Sequence, residues 1–330
     1  MTLLEARDLQ VWFDLPHGER LHAVQGVTFS VDPGQRLGLV GESGCGKTTA
    51  LLALMGLLPP SAEVAGEVYL NGQGILAGGE ASVRPHRWTD IAMVFQGAMN
   101  AFDPVKSIGN QIVEAMEVHG IARGAGAQTA AGDLLELVGI PASAAERFPH
   151  EFSGGMRQRA AIAMALAAEP KVLLADEPTT ALDVMVQAQI LRLLESLARD
   201  LELALILVTH DLPLVAQVCD RAAVMYAGKI DEQGPIEALF HDPRHPYTRM
   251  LFAATPDLTG DEEVISIPGA PPRLDRPIVG CAFAARCDRT FERCTTDEPP
   301  LVEIAPRHEA ACHLNDPDDA YRAPAREGAS

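Results

Sequence analysis

Lys47 is one of only four lysines in the chain, with Lys106, Lys171 and Lys229, and it closes the run Gly41-Glu42-Ser43-Gly44-Cys45-Gly46-Lys47-Thr48. That run fits G-x-x-x-x-G-K-[ST], in which glycines let backbone N–H groups turn inward around phosphate oxygens. A helix opening directly after it adds its positive N-terminal end to the same site. In this pattern Lys47 reaches the β- and γ-phosphates of a nucleoside triphosphate and the Thr48 hydroxyl ligates Mg²⁺. Gly41, Ser43, Gly44, Cys45, Gly46, Lys47, Thr48 and Thr49 are therefore the expected cradle for ATP. A second feature is Lys171-Val172-Leu173-Leu174-Ala175-Asp176-Glu177-Pro178, an apolar strand ending in two adjacent carboxylates. Asp176 suits a water-mediated contact with Mg²⁺, while Glu177 can point at an attacking water. Phosphoryl transfer asks little covalent chemistry of a protein, so positioning and charge neutralisation dominate.

The elements that must carry these groups can be read from the apolar pattern. Residues 36–40 form a short buried-strand run, the glycine loop follows, and residues 48–58 carry a helix pattern stopped by Pro59-Pro60. Strand patterns also cover residues 9–13, 26–31, 66–71 and 91–95. From about residue 97 to 168 the period becomes helical, with alanine-rich stretches at 133–138 and 156–168. Apolar strand runs return at 172–175, 205–208 and 222–225, and a helix at 185–199 separates the first two. Apolar strands alternating with helices predict an α/β fold around a mostly parallel sheet, with the helical stretch inserted as a subdomain. Beyond about residue 234 prolines become frequent and cysteines cluster. This reads as a C-terminal appendage, ending in an acidic tail beyond Leu314 that is expected to be mobile.

Composition narrows the partners. With 45 acidic and 26 basic side chains the formal charge is −19, which argues against a protein that neutralises nucleic-acid phosphates. The length of 330 residues suggests one or two domains. The longest apolar runs, 160–168 and 203–208, fall far short of the ~18 residues of a membrane span. The first residues lack the basic and apolar regions of a secretory signal. The expectation is a cytoplasmic chain whose membrane association, if any, comes through a partner.

Phe152-Ser153-Gly154-Gly155-Met156-Arg157-Gln158-Arg159 precedes an alanine-rich helix, and here the sequence closely resembles the ABC ATPases. Ser153, Gly154 and Gly155 match the signature motif, with Phe152 for the usual Leu and Met156 for the usual Gln. A small-residue turn opening a helix is an anion site of the same physical kind as the first. The resemblance implies that it lies far from its own phosphate loop and closes over the ATP of a partner subunit. It implies further that Gln96, after Met93-Val94-Phe95, is the Q-loop glutamine that contacts Mg²⁺ and senses a membrane subunit. Asp183 in Ala181-Leu182-Asp183 matches the D-loop. His210 in Val208-Thr209-His210-Asp211 matches the switch histidine beside the γ-phosphate and the attacking water. Phe13 is the choice for the aromatic that stacks on adenine, with Trp12 the alternative. The hydrolysis set, Lys47, Gln96, Glu177 and His210, is intact.

Three further stretches resemble the ATPases of the oligopeptide/dipeptide/nickel importers: the Glu42-Ser43-Gly44-Cys45-Gly46 form of the phosphate loop, His245-Pro246-Tyr247-Thr248-Arg249-Met250-Leu251, and the C-terminal runs at 267–272 and 280–287. The resemblance spans nearly the whole chain. Cys281, Cys287, Cys294 and Cys312 have the spacing C-x₅-C-x₆-C-x₁₇-C. Four thiolates can hold a [4Fe–4S] cluster or a tetrahedral Zn²⁺, or the four can stay unligated thiols or pair as disulfides. The tight C-x₂₋₄-C pairs of structural zinc sites are missing, and the resemblance implies a [4Fe–4S] cluster at these four positions. Cys45 belongs to the phosphate loop, Cys219 reads as packing, and His308 and His313 read as surface residues.

The resemblance thus implies a P-loop NTPase core of the ABC type over residues 1–96 and 169–235, with an antiparallel β subdomain. A helical subdomain carrying the signature motif would cover 97–168, and a small Cys-rich C-terminal extension 236–330. The implied function is the ATP-hydrolysing subunit of an importer for di- or oligopeptides or related solutes such as nickel complexes. Its implied partners are two transmembrane permeases, a second ATPase subunit and an extracytoplasmic solute-binding protein, with the chain peripheral on the cytoplasmic face of the cell membrane. A soluble ABC ATPase of DNA repair or translation, or a regulatory subunit built on the cysteine cluster, are the competing readings. The former calls for long coiled-coil insertions or two fused cassettes, and neither is visible.

Overall fold

The structure, a computed structural model, describes residues 2–98, 101–210, 212–254 and 267–316. The tail expected to be mobile lies outside the described residues from 317 onward. The chain opens with β1 (Leu4–Asp14), β2 (Arg20–Val31) and β3 (Arg36–Val40), then α1 (Lys47–Leu54), β4 (Ala62–Leu70) and β5 (Gln73–Gly74). After α2 (Glu80–Val83) and β6 (Ile91–Val94) come α3 (Ile108–Val118), α4 (Gly124–Leu137) and α5 (Gly154–Ala165). Then β7 (Val172–Asp176), α6 (Val184–Asp200), β8 (Ala204–Val208), α7 (Leu212–Val218), β9 (Arg221–Tyr226) and β10 (Lys229–Pro235) follow. The described chain ends with α8 (Ile236–His241), α9 (Pro246–Ala253), α10 (Glu292–Thr296), β11 (Val302–Ala305) and β12 (His308–Ala310).

Among the described residues the strands form two sheets. One is antiparallel, in the order β2-β1-β4-β5; the other runs β11-β12-β10-β9-β3-β8-β7-β6. In the larger sheet β9, β3, β8, β7 and β6 are parallel neighbours, with Leu37 opposite Ile206 and Asp176 opposite Val208. Successive side chains of these strands point to opposite faces. Leu173, Ala175, Leu205 and Leu207 join the core beneath α3 to α6. Val172, Leu174, Ala204, Ile206 and Val208 join a second core shared with β1, β2 and α1. Burial on both faces is why these strands read as unbroken apolar runs rather than alternating ones.

Two boundaries differ from the sequence expectation. Helix α1 ends at Leu54, not at residue 58. Gly56 takes the left-handed conformation (φ +58°), and the Leu57 N–H donates back to the Leu52 carbonyl at 2.9 Å, so a glycine cap stops the helix before Pro59. At the other end of the chain, β12 pairs antiparallel with β10, Glu232 opposite Ala310 and Gln233 opposite Glu309. The residues read as a separate appendage therefore extend the main sheet, covering a row of backbone donors and acceptors that β10 would otherwise leave unpaired.

Candidate active site

The parallel strands β3, β8, β7 and β6 lie side by side, so the loops leaving their C-terminal ends converge along one edge, where ligands bind in open α/β sheets. The loop after β3 is the glycine run. Gly41 (φ +147°) has no room for a Cβ, which would stand 2.1 Å from the Met225 carbonyl oxygen; at Gly46 (φ +105°) it would stand 2.5 Å from the Ala23 carbonyl oxygen. These positions require glycine, and they bring the start of α1 against the strand ends. Lys47 is buried, and its Nζ donates to the carbonyls of Gly41 (2.7 Å) and Glu42 (2.9 Å). Cys45 lies beneath the loop, its thiol pushed up by burial.

Asp176 ends β7, and its Oδ1 accepts a hydrogen bond from the Thr48 hydroxyl at 3.0 Å. Burial raises the Asp176 carboxyl above the usual carboxylate range, partly offset by that bond. A hydroxyl and a carboxylate side by side are hard oxygen donors of the kind Mg²⁺ takes beside nucleotide phosphates, so the residues present fit that ion. Glu177, one step on, has the left-handed conformation (φ +43°), uncommon for a residue with a side chain, and so turns away from Asp176. Glu177 Oε2 accepts from the Gln96 amide (2.8 Å) and the Thr180 hydroxyl (2.9 Å), and His210 Nδ1 lies 3.4 Å from Oε1. Strands β6, β7 and β8 thus each deliver one member of this cluster.

Gln96, Glu177 and His210 face one cavity of about 900 Å³, lined also by Phe13, Leu21, Ala23, Ser43, Gly44, Gly46, Lys47, Thr48, Thr49 and Leu274, whereas Gly41, Cys45 and Asp176 do not line it. The size falls within the range of small-molecule sites. Its polar lining, the expected phosphate end, comes from the loop with Gln96, Glu177 and His210, and its apolar lining from Phe13, Leu21 and Leu274. Trp12, the alternative aromatic, instead stacks on His22 with ring centroids 4.6 Å apart. Ser153, Gly154, Gly155 and Asp183 do not line this cavity. Ser153 caps α5 by accepting from the Met156 N–H at 3.2 Å, and Asp183 caps α6 by accepting from the Val186 N–H at 3.0 Å. Leu21, Thr180 and Leu274 escaped the sequence reading. Leu274 in particular lies far along the chain and reaches the site because its carbonyl accepts from the His22 N–H at 3.1 Å.

The C-terminal cysteines correct an expectation. Cys281, Cys287, Cys294 and Cys312 line one small cavity of about 10 Å³. Among the described residues, however, no three His, Cys, Asp or Glu side chains are grouped so as to hold a metal ion. All four are free cysteines, and burial pushes Cys281 and Cys312 up to about 12 and Cys287 upward as well. The [4Fe–4S] cluster implied by the resemblance is not supported by this geometry. His308 and His313 are also not surface residues: both are buried, with His308 Nε2 2.7 Å from Glu232 Oε1 and His313 Nε2 2.9 Å from the Asp297 carbonyl.

Comparison with known proteins identifies the family. Residues 24–180 match the ABC transporter family, and residues 232–294 match the oligopeptide/dipeptide transporter C-terminal region. The oligopeptide transport ATP-binding protein OppD of Bacillus subtilis (strain 168) is 45% identical over 322 residues, 96% of this chain and 90% of that protein. The dipeptide transport ATP-binding protein DppD of Escherichia coli (strain K12) is 43% identical over 327 residues, 98% of this chain and 99% of that protein. Among solved structures, the dimeric post-hydrolysis state of the ATP-binding cassette MJ0796 bound to ADP and Pi matches with a TM-score of 0.63 at 25% identity, covering 71% of this chain and 99% of that one. With a phosphate loop, paired carboxylates and relatives alike over nearly its full length, the chain is an ATPase and belongs to the ATP-binding subunits of the oligopeptide/dipeptide ABC transporters.

Proposed function

We propose that the chain hydrolyses ATP to power uptake of di- or oligopeptides through two transmembrane permeases to which it binds at the cytoplasmic face of the membrane. The observation that carries the peptide reading is the joint match of residues 24–180 and 232–294, together with relatives whose names specify oligopeptide and dipeptide transport. No helix among the described residues is long and apolar enough to cross a membrane, so the pathway is assigned to the partners. An extracytoplasmic solute-binding protein delivers the peptide.

In this reading residues 1–96 and 169–235 form the nucleotide-binding core, 97–168 a helical subdomain and 236–330 a C-terminal extension. The glycine loop and Lys47 bind the phosphates, and Phe13 stacks on the base. Thr48 and Asp176, with Gln96, would hold Mg²⁺, which would supply charge neutralisation at the phosphates. Glu177 accepts the proton of the attacking water, and His210 steadies that water and the γ-phosphate. Ser153, Gly154, Gly155 and Asp183 lie outside the cavity, which suits a head-to-tail pair in which they close over the ATP of a second ATPase subunit. Co-expression with candidate permeases and a binding protein, followed by ATP-dependent uptake of labelled peptides into proteoliposomes, tests the proposal. Uptake that stops with Glu177→Gln supports it; steady ATP hydrolysis with no peptide movement in any such assembly overturns it.

A further inference from the structure

Glu42, the second residue of the phosphate loop, is tied to the C-terminal part of the chain by three separate bonds. Its Oε2 accepts from Arg286 Nη1 at 2.6 Å and its Oε1 from Arg286 Nη2 at 2.9 Å, a two-pronged pair. Its backbone N–H donates to the Tyr247 hydroxyl at 2.9 Å. Its carbonyl is one of the two that hold Lys47 Nζ. One residue thus joins the lysine that meets the phosphates to a guanidinium 244 positions away. Arg286 is in turn fixed from behind. Nε donates to the Pro268 carbonyl at 2.8 Å and Nη1 to the Tyr226 hydroxyl at 3.1 Å, and its side chain is only 4% exposed. A forked Arg–carboxylate pair with a buried guanidinium is among the stronger and more directional contacts a protein can make.

The arrangement matters because a carboxylate in a loop that wraps a triphosphate is electrostatically unfavourable. Unpaired, Glu42, whose side chain is 25% exposed, would add a negative charge to the loop that receives the phosphates, one that salt can screen. A loop with Gly41, Gly44 and Gly46 is also costly to hold in one conformation, so anchoring it before ATP arrives spares the ligand that ordering.

We propose that Arg286 is a positioning residue for the ATP site: it neutralises Glu42 and, with Tyr247, holds the phosphate loop in its nucleotide-binding shape. The proposal concerns nucleotide binding alone and stands or falls independently of the solute transported. The test is MgATP affinity of the full-length chain, measured by titration calorimetry, with melting temperature recorded for each variant. Arg286→Gln is expected to weaken MgATP about tenfold, and Arg286→Gln with Glu42→Gln to recover most of that loss, because removing the orphaned charge restores the field. The Arg286→Gln penalty is also expected to shrink as salt rises from about 0.05 to 0.5 M, which a purely structural strap would not show. Wild-type affinity in a folded Arg286→Gln, or a double variant no better than the single, overturns the proposal. Should Arg286→Gln not fold, Arg286→Lys carries the test: it keeps the charge but loses the fork, and a loss of about threefold is expected, unchanged affinity being the contradicting result.

Discussion

The side-chain amide of Gln96 donates a 2.8 Å hydrogen bond to Glu177 Oε2, joining the residue two past the end of β6 to the residue just past the end of β7. The bond aims the proposed general base, and the other partner of that oxygen is the Thr180 hydroxyl. Gln96→Ala leaves Glu177 with fewer restraints in a strained backbone conformation. It is expected to lower kcat about tenfold while KM for ATP moves less than about threefold, read by steady-state phosphate release. A KM change as large as the kcat change contradicts this positioning role.

Lys47 makes two carbonyl bonds inside the loop, an arrangement that triphosphate oxygens can replace with charge-assisted ones. Lys47→Ala is expected to weaken MgATP by roughly a hundredfold, measured by calorimetry. Affinity within a factor of about three of wild type contradicts the assignment of the phosphate end of the cavity.

The loop glycines differ in what they tolerate. A Cβ at Gly41 would meet the Met225 carbonyl at 2.1 Å, whereas at Gly44 (φ +80°) nothing lies within 4 Å. Gly41→Ala is expected to cost about 3 kcal/mol or more in stability and Gly44→Ala about 1 kcal/mol, by chemical denaturation. Equal effects contradict the close approach of the loop to β9.

His245 is buried and its Nδ1 accepts from the Tyr247 N–H at 3.1 Å, which requires the neutral ring. Burial lowers its pKa to about 4. The unfolded chain takes up this proton near pH 6.5 and the folded chain does not, so the contribution of His245 to stability is complete above about pH 6.5 and is lost progressively as pH falls toward 4. The full loss is about 3 kcal/mol. The neighbouring buried Asp231 is pushed upward by burial and acts in the opposite sense, its contribution growing as pH falls, so the informative quantity is the difference between wild type and His245→Asn. That difference is expected to change across pH 6.5 to 4; a constant offset contradicts the buried neutral histidine.

The parts of the site visible in the sequence are those in which chemistry and spacing coincide within a few residues. The glycine run, the Asp176–Glu177 pair at a strand end and the parallel order of apolar strands all belong to that class. Trp12 and Phe13 adjoin on one strand, and only the side-chain alternation of β1, settled by its partners β2 and β4, decides which of them meets the cavity. The Glu42–Arg286 pair and Leu274 were invisible for another reason. Their contacts span more than 200 residues, and no local pattern marks a side chain whose partner arrives from the far end of the chain. For the four C-terminal cysteines the spacing left several states open and the cluster came from the resemblance alone; they share the lining of a small cavity, but no metal-holding group is seen among the described residues.

The central claim is that Glu177 makes this site hydrolyse ATP. Glu177→Gln keeps the shape of the side chain and removes its ability to accept the water proton. The direct measurement is single-turnover hydrolysis of radiolabelled ATP by the ATPase assembled with its permeases, alongside MgATP binding to the same sample. The account predicts hydrolysis slowed by at least about a hundredfold with MgATP affinity within about threefold of wild type. A variant that binds MgATP normally and retains more than about a tenth of the wild-type rate would contradict it.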